Sequence, residues 1–521
     1  MVGAGPSGLL AAVELARHGL QPRVIEREPE PHGQARATAV QPGTLEILDQ
    51  AGVADRVLAA SAHLPFARVF DAGFECRAEM AFAGVGCRWE FQCSLPQWQT
   101  ERILAERLTE LGGTVERGVG VVSVRQRDGG LRVGLQRVGE PATTAEAAWV
   151  VGAGGARSVT RGSMAEDLAG ATYPGTALVA DLRVSCGLPR DGGALVGSPE
   201  GYVLLAPLPG GRWICFVGDL DEAEARRLDH DRSLGGVAAA IGRRIPADLL
   251  RVDDATWAAP FRMHHRLAPR LADRRRFLLG DAGHLSSPFG GEGLNSGLHD
   301  AHNLGWKLAL AQRGRARPSL LESFAAERAA ADRHVLEVSD TMHEMAYGAV
   351  ESARTGVFPA PPGPQRMAAL VRARSMLDIS YAGTPLLGEH LAAGRTPPAG
   401  PAPGERYPGP VGLSGTRHHL LVTGPSDDEA LGRLVAFECT RAEQWFERGL
   451  RLLPLLDRRS QACVGTMAGI YHRLLRRIAR DPMAVTRGRV SVPASEKLWV
   501  AMSCLAAPAG SGMSARIQGV S

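Results

Sequence analysis

The chain has 521 residues, 45% apolar and 22% charged, with a formal net charge of +4. That length allows two or three domains and a large core, and the composition is that of a globular protein, neither disordered nor fibrous. No run of about 18 apolar residues marks a membrane span, and the diffuse positive charge, nearly all Arg with only Lys307 and Lys497 as lysines, excludes a nucleic-acid patch.

The chain opens on Gly3-Ala4-Gly5-Pro6-Ser7-Gly8, followed by a helix predicted over Leu9–His18 with Leu10, Val13 and Leu15 as its apolar stripe. A short apolar strand, Arg23-Val24-Ile25, ends at Glu26, at the spacing of a dinucleotide-binding βαβ unit. Gly3 and Gly5 permit a tight turn and close approach to a pyrophosphate, and Gly8 lets helix and strand pack closely. The helix start, with Pro6 and Ser7, offers N–H groups and positive dipole charge to phosphates. Glu26, followed by Arg27, is the expected acceptor for ribose hydroxyls. Only Met1 and Val2 precede the first glycine. The buried strand that such a unit needs is therefore almost missing, which would leave its neighbours short of backbone partners; a start assigned too late is the expectation. The opening has no basic n-region, so it is not a signal peptide.

Further along, Arg36 lies in Ala35-Arg36-Ala37-Thr38-Ala39-Val40-Gln41-Pro42, and Gln97 in Pro96-Gln97-Trp98-Gln99-Thr100-Glu101-Arg102. Residues 171–269, with part of 71–94, read as an inserted, mostly-β substrate domain. Ala177–Val184 alternates as a strand does, and Gly201–Leu208 and Arg212–Val217 flank a Leu208–Gly211 turn as a hairpin. Its sheet is expected to wall an apolar pocket. His264 and His265 stand where this domain rejoins the first, as titratable candidates or hinge packing. Arg276-Phe277-Leu278-Leu279 then delivers Gly280-Asp281-Ala282-Gly283-His284 at a strand end. The loop Pro288-Phe289-Gly290-Gly291-Glu292-Gly293-Leu294-Asn295 leads into a helix with Leu298, Ala301, Leu304 and Leu308 on one face. Glycines 290, 291 and 293 bring backbone N–H groups against a flat ring that is negative when reduced. His284 reads as a satisfied loop histidine. Two separated nucleotide-handling segments suit one long folded cofactor, FAD, better than NAD.

Long helices are expected over roughly 320–352, and a Pro/Gly linker over Arg395–Pro410 sets off residues 411–521. The basic stretch Tyr471–Ile478 reads as a solvated helix face. The eight cysteines form no CxxC pair or zinc spacing, so no metal is expected and free thiols in a reducing cytoplasm are the default.

Together these motifs resemble the FAD-dependent aromatic hydroxylases of the p-hydroxybenzoate hydroxylase class, in the style of the oxygenases that tailor aromatic polyketides. Four of five family motifs match in order over residues 1 to about 310. The resemblance implies an α/β fold: a Rossmann-like FAD-binding domain (1–170 and 270–375), the inserted substrate domain, and a C-terminal thioredoxin-like domain (411–521). There His418-His419-Leu420-Leu421-Val422 would be the first core strand, although beyond about residue 430 the closing strands are not recognisable and the end reads as degenerate. Carried over, Arg36 and Gln97 contact FAD, Asp281 its ribityl chain, and Pro288–Asn295 its isoalloxazine. The backbone at Pro288 and Gly290 lines the oxygen-transfer site. The implied reaction is hydroxylation of a small aromatic, polycyclic polyketide substrate by O2 through a flavin hydroperoxide, with NADPH or NADH as reductant. The fifth motif departs: Ala153-Gly154-Gly155-Ala156-Arg157-Ser158 has Gly154 where the family has Asp, which puts NADPH-driven reduction in doubt. Baeyer–Villiger insertion on the same scaffold and a flavin-binding pseudoenzyme stay open as alternatives.

Overall fold

The computed structural model describes residues 1–384 apart from 32, 36, 361 and 383, and further on 435, 439, 442–443, 457–481, 484 and 490–505. The chain divides into two compact units, Met1–His390 with Pro401–His418, and Leu391–Gly400 with His419–Ser521.

In the first unit a parallel sheet runs in the order Val115–Arg117, Val24–Glu26, Val2, Val150–Gly152, Arg276–Leu278, with Ala272–Asp273 antiparallel at the edge. The central position, expected to be almost missing, is held by Met1–Gly3. Val2 N–H donates to Val151 O at 2.9 Å and Gly3 N–H to Ile25 O at 2.8 Å, while Met1 O accepts from Ile25 N–H at 3.0 Å. The neighbouring strands thus find backbone partners as far as these residues reach. A cavity of about 330 Å³ adjoins Met1 and Val2, lined also by Leu20, Pro22, Val133, Trp149 and Leu308.

The first helix, α1 (Pro6–Arg17), starts from the glycine turn with Pro6 in its first turn, where a missing N–H costs nothing. It buries Leu9, Leu10, Val13 and Leu15 against α2 (Glu292–Gln312), whose Leu298, Ala301, Leu304 and Leu308 are all buried in the same core. The two helices touch so closely that a Cβ at Gly305 would stand 2.5 Å from Glu14 Cβ. A three-stranded meander (Val119–Arg127, Gly130–Arg137, Thr143–Ala147) forms another core with Ile25 and Val150.

A seven-stranded sheet follows the order Leu250–Phe261, Thr176–Cys186, Trp213–Leu220, Gly201–Pro207, Gly192–Ser198, Phe66–Asp71, Cys76–Ala81. The expected hairpin is present at Gly201–Pro207 and Trp213–Leu220. The contribution from the N-terminal side begins at Phe66, ahead of the expected boundary. Alternation along each strand separates two faces. Leu178, Ala180, Leu205, Cys215 and Val217 join a core with Leu228, Val237 and Ile241 of the helices Glu222–His230 and Leu234–Gly242. On the opposite face stand Val179, Ala206 and Ile214, with half-buried Phe216, Trp257 and Phe261 beside them. The 38-residue helix α3 (Pro318–Thr355) lies against this sheet, Ala349 O being 2.6 Å from where a Cβ at Gly197 would sit. It is followed by α4 (Pro364–Arg374).

In the second unit two helices are described, Arg458–Arg480 and Ala494–Leu505, the first containing the basic Tyr471–Ile478 stretch. A thioredoxin-like domain requires a central sheet. Among the described residues between 435 and 505 there is no strand, only helix and irregular chain. The expected linker Arg395–Pro410 and strand His418–Val422 lie outside the described residues. No helix among them is long and apolar enough to cross a membrane.

Candidate functional site

The Gly280 turn and Gly297 of α2 converge on Ser7 of the first glycine turn. A Cβ at Gly280, whose φ is +55°, would lie 2.6 Å from Ser7 Oγ, and one at Gly297 would lie 2.3 Å from it. Sequence-distant motifs, the first βα turn and the turn after Arg276–Leu278, are thereby set side by side at the carboxyl ends of parallel strands. Gly3 adopts φ +103°, and a Cβ there would stand 2.3 Å from Ala153 O; at Gly8 it would stand 2.2 Å from Gly3 O. Both are backbone collisions, so each position demands glycine. Gly5 has nothing within 4 Å of its Cβ direction, which leaves an open side at the start of α1, where no side chain caps the helix. Glu26 braces this turn, its two oxygens accepting from Ala4 N–H at 2.8 Å and Glu28 N–H at 3.0 Å. Arg27 points to solvent, paired with Glu28. Asp281 is exposed. Gly154 flanks Gly3, and a Cβ at Gly154 would meet nothing closer than 3.9 Å.

The Pro288–Asn295 loop turns through Gly290 (φ +83°) and Gly291 (φ +74°) into α2. Asn295 clamps it to the strand Ala39–Val40, donating to Ala39 O at 2.9 Å and Gly291 O at 2.6 Å and accepting from Gln41 N–H at 2.9 Å. Gln41 Nε2 donates to Gly290 O at 2.6 Å. Gly293 stands close to Ser286, whose Oγ lies 3.1 Å from its Cβ direction, and Leu294 is half-buried on the first core. Gln97 begins the helix Gln97–Glu110 and donates to Glu101 at 2.8 Å. Arg36 lies outside the described residues; its neighbour Ala35 is buried in the cluster with Val179, Ala206 and Ile214.

Pro288 leads into Phe289, which packs edge-on to Tyr202 at 5.0 Å and His343 at 5.1 Å. His343 Nδ1 is 3.3 Å from Ser287 Oγ, and Tyr173 stacks on the His343 ring at 4.1 Å. Asp340 accepts from the Tyr173 hydroxyl and lies 2.9 Å from His265 Nδ1. Burial first, then Asp340, pushes the Tyr173 phenol well above its ordinary value. His264 faces Thr172 Oγ1 at 2.9 Å. Of the two histidines singled out in the sequence, His265 thus belongs to a cluster beside the loop. Tyr173, Asp340 and His343 carry no motif. The available signal was the spacing of Asp340, His343 and Tyr347 on one face of a long helix.

Beneath Gly280 lies a buried charge network. Asp300 accepts from Gly280 N–H at 2.9 Å, faces His284 Nε2 at 2.9 Å, and accepts from Arg328 Nε at 2.6 Å; Arg328 also reaches Asp332 at 2.8 Å. Burial opposes charge on His284, but Asp332 and Asp300 outweigh it and raise its pKa to about 9. Asp300 is held well below the carboxylate range because Arg328 and His284 overcome its burial. Asp332 is raised, by burial and by Asp300. His284 is therefore more than a satisfied loop histidine: the neighbouring carboxylates favour its charged form, and it shares the Asp300 oxygen that accepts from the Gly280 turn. The three acidic and imidazole groups lie close enough for a cation, but the Arg328 guanidinium already pairs with both Asp300 and Asp332.

The family model described as FAD binding domain matches residues 1–339. The chain belongs to the FAD binding domain family. It is 36% identical over 334 residues to 6-methylpretetramide 4-monooxygenase of Streptomyces rimosus, a match covering 63% of this chain and 58% of that protein. It is 30% identical over 411 residues to 12-dehydrotetracycline 5-monooxygenase/anhydrotetracycline 6-monooxygenase of Streptomyces rimosus subsp. rimosus, covering 76% and 79%. Among solved structures it is similar to aklavinone-11 hydroxylase in a ternary complex with FAD and aklavinone, with a TM-score of 0.64, 25% identity and 78% of each chain covered. A separate model, described as Squalene/phytoene synthase, matches residues 413–496. FAD suits the site: Gly5 leaves open space beside the start of α1, which no side chain caps, and Asp281 is exposed.

Proposed function

We propose that the chain is an FAD- and NAD(P)H-dependent monooxygenase that hydroxylates an aromatic, polycyclic polyketide-type substrate with O2. The observation that carries this reading is the half-buried aromatic strip Phe216, Trp257 and Phe261 on the sheet face turned away from the helices Glu222–His230 and Leu234–Gly242. Phe261 also belongs to the cluster that contains Phe289 of the glycine loop. A flat apolar substrate is thereby offered ring-on-ring contact next to the loop. The names of the relatives and the TM-score point the same way.

In this reading Gly3, Gly5, Pro6, Ser7 and Gly8 receive the pyrophosphate at the start of α1, and Glu26 and Arg27 the adenosine side. Arg36, Gln97 and Asp281 hold the central part, and Pro288, Gly291, Gly293, Leu294 and Asn295 support the ring system. When bound, FAD supplies the electron transfer and oxygen activation. The chain's own contribution is placement. The Pro288 and Gly290 backbone lines the reacting edge, the aromatic strip orients the substrate, and the apolar sheet face excludes water. Asp340, shared by Tyr173 and His265, provides a polar end to the pocket.

The test is an anaerobic visible spectrum of the FAD-loaded protein before and after NADPH, with and without a polycyclic phenol. Bleaching that the phenol accelerates, followed in air by a hydroxylated product, is expected. Bound flavin that stays oxidised under every condition would refute the monooxygenase reading.

A further inference from the structure

Glu292 occupies the open position of the Pro-x-Gly-Gly-x-Gly-x-Asn loop and begins α2. It is completely buried, and neither carboxyl oxygen has a hydrogen-bond partner. The carboxyl folds back under the loop, so that a Cβ at Gly290 would fall 1.9 Å from Glu292 Oε1. Two further orphaned atoms lie nearby. Gln41 Oε1 is an unmatched acceptor on the side chain whose Nε2 holds Gly290 O, and Arg374 Nε is an unmatched donor on a side chain fastened to Gln92 at 2.9 Å. No ion pair within 4 Å joins Glu292 to Arg374 among the described residues. A neutral carboxyl both donates and accepts, so it complements an acceptor on one side and a donor on the other; a carboxylate can only accept.

We propose that Glu292 is a positioning residue of the glycine loop, which in its neutral form holds the Pro288–Gly291 turn shaped for the flavin and so ties FAD affinity to its own protonation. This rests on the reading above that the loop supports the flavin ring. The electrostatics agree: burial raises the Glu292 pKa to about 8, with Arg374 opposing. Arg374, on α4, is the one charged group among the described residues whose field reaches it. Gln41, ahead of the helix Pro42–Gln50, and Gln92 add dipoles without charge. Ionisation places a carboxylate against the turn and draws it toward Arg374, away from Gln41, which loosens the clamp on Gly290.

The experiment is FAD titration of the full chain from pH 6 to pH 9, followed by flavin fluorescence and by the absorption band shape, for wild type, Glu292→Gln and Arg374→Met. Glutamine keeps a donor and an acceptor but cannot ionise. If only the neutral form binds, the Kd of the wild type is level to about pH 7 and weakens about tenfold per unit above the pKa, or roughly tenfold by pH 9. Glu292→Gln keeps the low-pH Kd throughout, and Arg374→Met moves the wild-type inflection to higher pH. A Glu292→Gln curve that falls in parallel with wild type would overturn the inference and leave the flavin-loop reading intact. Absence of FAD binding at any pH in folded wild type would overturn both. If Glu292→Gln does not fold, an Arg374→Met inflection that is unmoved or lowered overturns the inference by itself.

Discussion

Replacing His284 by Gln tests the buried network beneath the Gly280 turn, because Gln retains a donor for Asp300 and removes only the charge. The imidazolium pKa is raised from 6.5 to about 9 in the folded protein, which corresponds to about 3 kcal/mol of folding stability. The group's pKa is higher folded than unfolded. Its contribution is therefore complete below about pH 6.5 and is lost as pH rises through about 9. At pH 6 the variant is expected to be about 3 kcal/mol less stable, a Tm lower by on the order of 5 °C. By pH 9.5 the two proteins should nearly coincide. Urea and thermal unfolding across pH 6 to 9.5 give the comparison. Other groups titrate in this window, His334 with its pKa raised by Asp378 among them, but they are common to both proteins, so the difference curve isolates His284. Parallel curves, with the variant no more pH-independent than the wild type, would refute the assignment of a buried imidazolium.

Gly8→Ala sets a methyl group 2.2 Å from the Gly3 carbonyl, a backbone that cannot step aside; a loss of roughly 2 kcal/mol or more and of FAD retention on gel filtration is expected. Gly154→Asp introduces a carboxylate where space allows it; one or two added hydrogen bonds of about 1 kcal/mol should tighten FAD roughly fivefold or more and speed reduction by NADPH in stopped flow, and an unchanged Kd would show that this position does not limit binding. Trp257→Ala is expected to raise KM for a polycyclic phenol roughly three- to tenfold while the Kd for FAD stays constant. An apolar extension such as Val-Leu-Val fused before Met1 should enter the cavity between Leu20 and Trp149 and raise Tm by several degrees; an unchanged Tm would mean that the cavity does not accept a strand.

Much of the frame was legible because it rests on short-range chemistry. Gly3 and Gly290 declare themselves in sequence because their positive φ favours glycine, Gly8 because a Cβ there would strike the nearby Gly3 carbonyl, and Leu298, Ala301, Leu304 and Leu308 recur at the helical period because one face of α2 is buried. The hairpin at 201–220 follows from strand alternation broken by Pro209-Gly210-Gly211. The C-terminal expectation has less behind it: it is carried from a resemblance that ends near residue 310, and the described residues there are helical or irregular.

Other features exist only through contacts between distant segments. That two residues, Met1 and Val2, serve as the central strand depends on the register of strands ending at Glu26 and Gly152. Glu292 reads as one more surface-type acid in a glycine-rich loop until Gln41 and Arg374 are brought round it, and Tyr173 reaches Asp340 and His343, which share a face of α3, from a segment far away in the sequence. Local sequence determines what a backbone can adopt and which face is apolar, since those depend on neighbours along the chain. Burial and the field at a titratable group depend on neighbours in space, and these only the tertiary structure decided.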